Sequence, residues 1–267
     1  MNHHFAKALL VSASIVASPL SAVEIIAHRG ASHDAPENTL ASFRLGWEQQ
    51  ADAGELDIHL TQDGRILVIH DGNTKRTAGL DAAVSSQTLE ELRKLDAGSW
   101  KGTRWKGEPL PTLSEVLAIV PAGKRLFIEI KCGPEVLPEL ERVLAACDQK
   151  PEQLVLIGFS YATMQKAKQR FPQLAVYWIV SYGADKKTGK HPDLQDLIQK
   201  AQAARFDGLD LHFDFPIDAA FVSQVKAAGL RLYVWTVDDV AVAAKLVAAG
   251  VDGLTTNRPA WLRERLR

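Results

Sequence analysis

Seven side chains stand at spacings that suit a single reaction centre. Glu55 and Asp57 lie two residues apart in an apolar run, so on a β-strand both point to the same face. Glu129 and Lys131 repeat that spacing in a later run, and His28-Arg29-Gly30 closes an earlier one. His70 is followed by Asp71; Asp210 and His212 end another run, and Tyr233 and Trp235 the next. Three carboxylates aimed into one mouth repel one another unless a positive charge lies between them. One hard divalent cation with oxygen ligands, Ca2+ or Mg2+, meets that need. Plain salt bridges to Arg29 and Lys131 are the alternative. Two histidines flanking a metal-bound anion suit general acid–base catalysis near neutral pH, one taking a proton and one giving it.

A hairpin brings His70 to this group. Leu60 to Ile66 contains Asp63-Gly64, a strong turn signal. A symmetric hairpin centred between those two residues sets His70 across from Asp57. With a divalent cation, Arg29 and Lys131 counted against the three carboxylates, the site keeps a single positive charge. A monoanion such as a phosphodiester would neutralise it, and Arg and Lys are common oxyanion partners of phosphoryl groups.

The elements that must position these residues alternate regularly. Strand-like runs occupy Glu24–His28, Glu55–Leu60, Arg125–Lys131, Leu154–Phe159, Leu174–Val180, Phe206–His212, Leu230–Thr236 and Val251–Thr255. Helical spacing fills Thr39–Gln50, Val136–Ala146, Tyr161–Arg170, Asp193–Ala204, Asp218–Ala228 and Asp239–Ala249. Eight βα units predict a (β/α)8 barrel rather than an open sheet, with the polar strand ends gathered at its catalytic face. Residues from about 72 to 111 interrupt the alternation, with one short helix expected near Leu89–Leu95. In a barrel, such an insertion is expected to cap the site.

Of the 267 residues, 1–22 read as a signal peptide: Lys7, an apolar stretch from Ala8 to Val16, Pro19, then small residues at Ser21 and Ala22. The stretch is too short to span a membrane, which predicts export to the periplasm or beyond and one domain over 23–267. A net charge of −1 argues against a nucleic-acid partner and leaves a small molecule as the expected one; it is silent on oligomeric state. Cys132 and Cys147 fall at opposite ends of a helical stretch. A dozen helical residues rise ~18 Å against a ~7 Å limit for bridging, so both thiols are expected to be free.

In these motifs the sequence resembles the glycerophosphodiester phosphodiesterase family. The matching runs are Ile26-Ala27-His28-Arg29-Gly30, Pro36-Glu37-Asn38-Thr39, Glu55-Leu56-Asp57, Asp63-Gly64, Val68-Ile69-His70-Asp71, Ile128-Glu129-Ile130-Lys131, Phe159-Ser160, Trp235-Thr236-Val237 and Val251-Asp252-Gly253. The resemblance implies a (β/α)8 barrel that hydrolyses glycerophosphodiesters with a divalent cation. It implies His28 and His70 as the acid–base pair, and Glu55, Asp57 and Glu129 as metal ligands. Arg29 and Lys131 would bind the phosphate, and Phe159 and Trp235 would wall the pocket for the alcohol. Glu37 is site-adjacent, and His59 is a supporting candidate. Asn257, where the family often has Asp, and Thr74, where Leu is common, are departures expected to touch no catalytic group. Two other readings remain open. One is a lysophospholipase D-like enzyme, for which Trp100 and Trp105 would supply a lipid-facing rim. The other is a non-catalytic exported phosphodiester-binding protein.

Overall fold

Val-, Ile- and Leu-rich runs buried on both faces are the mark of parallel strands covered by helices, and the computed structural model assembles them that way. It describes residues 23–267, so the signal-peptide expectation lies outside the described residues. The strands are β1 (Glu24–His28), β2 (Ala53–Leu60), β3 (Ile66–Val68), β4 (Arg125–Ile130), β5 (Leu154–Gly158), β6 (Ala175–Val180), β7 (Gly208–His212), β8 (Arg231–Trp235) and β9 (Gly253–Thr256). β1 pairs in parallel with both β2 and β9, which closes a ring of eight parallel strands that β3 joins only as an antiparallel flap on β2. This is the (β/α)8 barrel expected, with strand ends within two residues of those read from the sequence.

The helices are α1 (Leu40–Glu48), α2 (Lys75–Ala78), α3 (Leu89–Leu92), α4 (Leu113–Leu117), α5 (Leu137–Ala145), α6 (Tyr161–Arg170), α7 (Leu194–Ala203), α8 (Ala219–Ala227), α9 (Val240–Ala249) and α10 (Pro259–Arg265). Their starts follow the chemistry of the caps. Thr39, Ser160, Asp193, Asp218 and Asp239 each accept a backbone N–H from the first turn of α1, α6, α7, α8 and α9. Two apolar layers result. One lies between sheet and helices, and a smaller one inside the ring is built on Ile26, Phe127, Val155, Ile157, Tyr177 and Tyr233. At the N-terminal end of the ring, Arg125 bonds Glu24 (2.6 Å) and the Tyr233 hydroxyl (2.8 Å), plugging it. The open end is therefore the C-terminal one. Cys132 and Cys147 are both free, as expected.

The hairpin differs from expectation by one residue. Ile58 pairs with Val68 and Leu60 with Ile66, so Asp57 faces Ile69, whose N–H donates to its carbonyl at 3.0 Å. The turn is a three-residue loop rather than a two-residue one. The Gly64 N–H donates to the Thr61 carbonyl (3.0 Å), and Gly64 takes the left-handed conformation at φ +70°. That is a type I turn closed by a glycine bulge, which moves the centre of symmetry onto Asp63. His70 thus follows the ladder instead of pairing with Asp57.

The insertion also departs from its expected role. It carries α2 and α3 around a small core of its own, where Val84, Leu92, Ala97 and Leu110 cover Leu67 and Ile69. Lys101 donates to the Ser32 carbonyl (2.7 Å) and Arg104 to the Asp34 carbonyl (2.6 Å). It buttresses the loop between β1 and α1 from the side.

Candidate active site

At the C-terminal mouth, β2 and β4 run in register with Asp57 beside Glu129. Glu55, Asp57 and Glu129 are all buried, and one oxygen from each falls within 4.8 Å of the others. Asp57 Oδ1 is buried without a hydrogen-bond partner, whereas Oδ2 accepts from Asn38 Nδ2 at 2.7 Å and lies 3.3 Å from Arg29 Nε. Burial, and then the charges of Asp57 and Glu129, push Glu55 well above the usual carboxylate range. Burial and Asp57 raise Glu129 to about 7. Burial alone would raise Asp57 as well, but Arg29 and Lys131 hold it below its ordinary value. Crowded carboxylates with a free oxygen aimed among them are the donor set a hard divalent cation requires. The residues present fit such an ion.

Arg29 reaches this cluster because Arg29 and Gly30 both take positive φ (55° and 78°). The reversal turns the Arg29 N–H onto Glu55 Oε2 (2.9 Å) and its guanidinium onto Glu37 (2.8 Å). Glu37 also accepts two bonds from Arg76, which in turn holds Asp71. Lys131 Nζ donates to Glu129 (2.8 Å), stands 3.6 Å from Asp57 Oδ1 and 3.2 Å from His70 Nε2. Burial would lower the Lys131 ammonium, yet Glu129 and Asp57 raise it, so it stays charged.

The two histidines are oriented by different partners. His70 Nδ1 lies 2.6 Å from Asp71 Oδ1, and the Arg76 hydrogen bonds hold Asp71 down to about 2. His28 Nδ1 lies 2.7 Å from Asn257 Oδ1, with Nε2 4.0 Å from Glu55. The Asn257 Nδ2 group donates to Asp238, so its oxygen must face the imidazole, and His28 carries its proton on Nδ1. Burial, then the Arg29 charge, lower His28 to about 4. The expectation that Asn257 touches no catalytic candidate is thereby corrected: it ends β9, and β9 is the ring neighbour of β1. Thr74 is buried and bonds only insertion carbonyls. His59 Nε2 donates to the His70 carbonyl at 3.0 Å and so supports the catalytic candidate from its backbone.

His28, Arg29, Glu55, His70, Glu129 and Lys131 line one pocket of about 110 Å3 with Ile157, Phe159, Ile179, Asp210 and Trp235. Phe159 and Trp235 meet edge to face at 5.5 Å, and Phe159 is exposed at the rim. No residue of 72–111 lines this pocket, although Arg76 of the insertion bonds Glu37 and Asp71 beside it. A larger cleft of about 770 Å3, beside α4 and α5, contains none of the candidate residues. Sequence reasoning left Asn38, Asp71, Asp238, Asn257 and Asp210 without roles. Asn38 and Asp71 lie beside Glu37 and His70 in sequence; Asp210 in β7, Asp238 after β8 and Asn257 after β9 are brought together by the fold alone.

The closed barrel gathers two histidines, an acidic cluster and two basic side chains at its C-terminal mouth, a set suited to hydrolysis of an anionic substrate. The sequence matches the glycerophosphoryl diester phosphodiesterase family over residues 28–261. It is 35% identical to the glycerophosphodiester phosphodiesterase of Caldanaerobacter subterraneus over 91% of this chain and 97% of that one. It is 32% identical to a Bacillus subtilis glycerophosphodiester phosphodiesterase over 88% and 83% of the two chains. Among solved structures, an Oleispira antarctica phosphodiesterase in complex with the product sn-glycerol-3-phosphate superposes with a TM-score of 0.82 at 31% identity, covering 91% and 96%. The chain belongs to this family and is a phosphodiesterase of the glycerophosphodiester class.

Proposed function

We propose that the protein hydrolyses glycerophosphodiesters such as glycerophosphocholine and glycerophosphoethanolamine to sn-glycerol 3-phosphate and an alcohol. The observation that carries this reading is the convergence of His28, His70, Arg29 and Lys131 on one buried acidic cluster. Glu55, Asp57 and Glu129 would hold one divalent cation, Ca2+ or Mg2+, which when bound polarises the phosphoryl oxygens. Arg29 and Lys131 bind the non-bridging oxygens and take up the charge that grows on them. His28, neutral with its Nε2 lone pair free, accepts the proton of the attacking hydroxyl. His70, oriented through Nδ1 by Asp71, protonates the departing alcohol. Phe159 and Trp235 wall the exit for that alcohol. Trp100 and Trp105 do not line the pocket, which favours water-soluble diesters over lysolipids. Residues 1–22 would direct export, with cleavage near Ala22 checked by N-terminal sequencing of the exported protein.

A coupled assay for glycerol 3-phosphate across several headgroups, with and without chelator, tests the reading. Release of glycerol 3-phosphate that chelator abolishes and Ca2+ or Mg2+ restores is the expected result. Binding of the diesters without turnover would leave the non-catalytic binding protein instead.

A further inference from the structure

One buried carboxyl in the pocket has no part in the chemistry above. Asp210 is 2% exposed, lines the cavity, and its Oδ1 is buried with no hydrogen-bond partner. An unpaired polar atom in such a place costs free energy unless a ligand completes it. Its strand, β7, is four places from β2 either way around the ring of eight, so Asp210 stands across the cavity from Glu55 and Asp57. Ile157 and Ile179 line the wall between, and the Trp235 indole N–H donates to the Asp210 carbonyl at 3.1 Å.

From this placement we infer that Asp210 is a specificity-determining residue that binds the terminal hydroxyl of the substrate's glycerol moiety. The inference rests on the proposed function for the phosphate's position. A ligand with its phosphate at Arg29 and Lys131 must extend across the cavity, and about 110 Å3 admits a glycerol-sized group but not a bulky headgroup. The alcohol, which varies between substrates, leaves by the open rim, where Phe159 lines the pocket and is 43% exposed. The constant glycerol end therefore meets the closed side, where a carboxyl suits a hydroxyl donor.

The test compares glycerophosphocholine with 2-hydroxypropyl phosphocholine, which lacks only the terminal hydroxyl. Wild type should prefer the first by roughly 10–100-fold in kcat/KM, since a site built for a hydroxyl rejects the analogue lacking it. In Asp210→Leu that ratio should fall to about 3-fold or less, and Asp210→Asn, which keeps the shape, should fall between. A purely structural role would lower both substrates together and leave the ratio unchanged, overturning the inference; so would a wild type that does not discriminate. If Asp210→Leu does not fold, the wild-type and Asp210→Asn ratios decide. If wild type hydrolyses neither diester, the function reading fails by itself. Calorimetric Kd values for sn-glycerol 3-phosphate and 2-hydroxypropyl phosphate, in wild type and Asp210→Asn, then decide the hydroxyl contact in the same way.

Discussion

Asn257 Oδ1 accepts the Nδ1 proton of His28 at 2.7 Å, joining the last strand of the barrel to the first across 229 residues of chain. Ser32 Oγ donates to the same oxygen (2.8 Å), and Asp238 accepts from the Asn257 Nδ2 group behind it. This arrangement sets which nitrogen of His28 is free to react. Removing the amide leaves the phosphate-binding cations untouched, so Asn257→Ala should lower kcat about tenfold with little change in KM. Added to His28→Ala it should cost nothing further, because residues acting as a unit are non-additive. Additive losses in a steady-state double-mutant cycle would separate Asn257 from His28.

The histidines themselves carry the largest expected effects. His28→Ala and His70→Ala should each lower kcat by ~10²–10⁴ with circular dichroism unchanged. Because burial keeps His28 neutral down to about 4, the acid limb of kcat/KM that it sets lies well below 6.5. The same depressed value means that the unfolded chain binds a proton first. His28 therefore contributes stability above pH 6.5 that is lost as pH falls toward about 4. An acid limb at 6.5 or higher would contradict this assignment.

Cation binding should be coupled to protons. Glu55 is raised and Glu129 stands at about 7, so the metal-free cluster holds protons near neutrality that a cation must displace. Apparent affinity should weaken as pH drops below 7. Without metal, a raised carboxyl stabilises the fold at low pH and that contribution is lost as pH rises through about 7. The gain in Tm on adding Ca2+ or Mg2+ should thus be larger at pH 8 than at pH 5. Glu129→Gln should reduce that gain; an equal gain in the variant would remove Glu129 from the ligand set.

The barrel was legible in the sequence because each strand is a short apolar run and several helices begin at an N-cap such as Asp193, Asp218 or Asp239. The members of the site close together in sequence were legible for a local reason: Glu55 and Asp57, or Glu129 and Lys131, share a strand face by period two alone. His70 was placed one residue out of register, since Asp63-Gly64 fits either a two-residue turn or a bulged three-residue loop and only packing chooses. Asp210 was visible only as a polar residue near a strand end, and Asn257 only as a departure from the family pattern. Their roles come from ring closure, which makes β9 a neighbour of β1 and sets β7 opposite β2.

Gly30 is where backbone geometry and chemistry meet most tightly. Its φ of +78° suits glycine, and an added Cβ would lie 2.4 Å from Ser42 Oγ and 2.5 Å from the Ser42 carbonyl carbon. Backbone cannot move aside as a flexible side chain can, so strain of about 1–3 kcal/mol from the left-handed conformation is joined by a clash with α1. Relief requires the β1–α1 loop to shift, which withdraws the Arg29 N–H from Glu55 and its guanidinium from Asp57. Gly30→Ala should therefore lose at least ~2 kcal/mol in urea unfolding and raise KM for the diester as Arg29 is displaced. Gly64→Ala shares the positive φ but meets nothing within 4 Å, so it should cost only ~1 kcal/mol and leave KM alone. If the two variants behaved alike, the Ser42 contact would have no bearing on the position of Arg29.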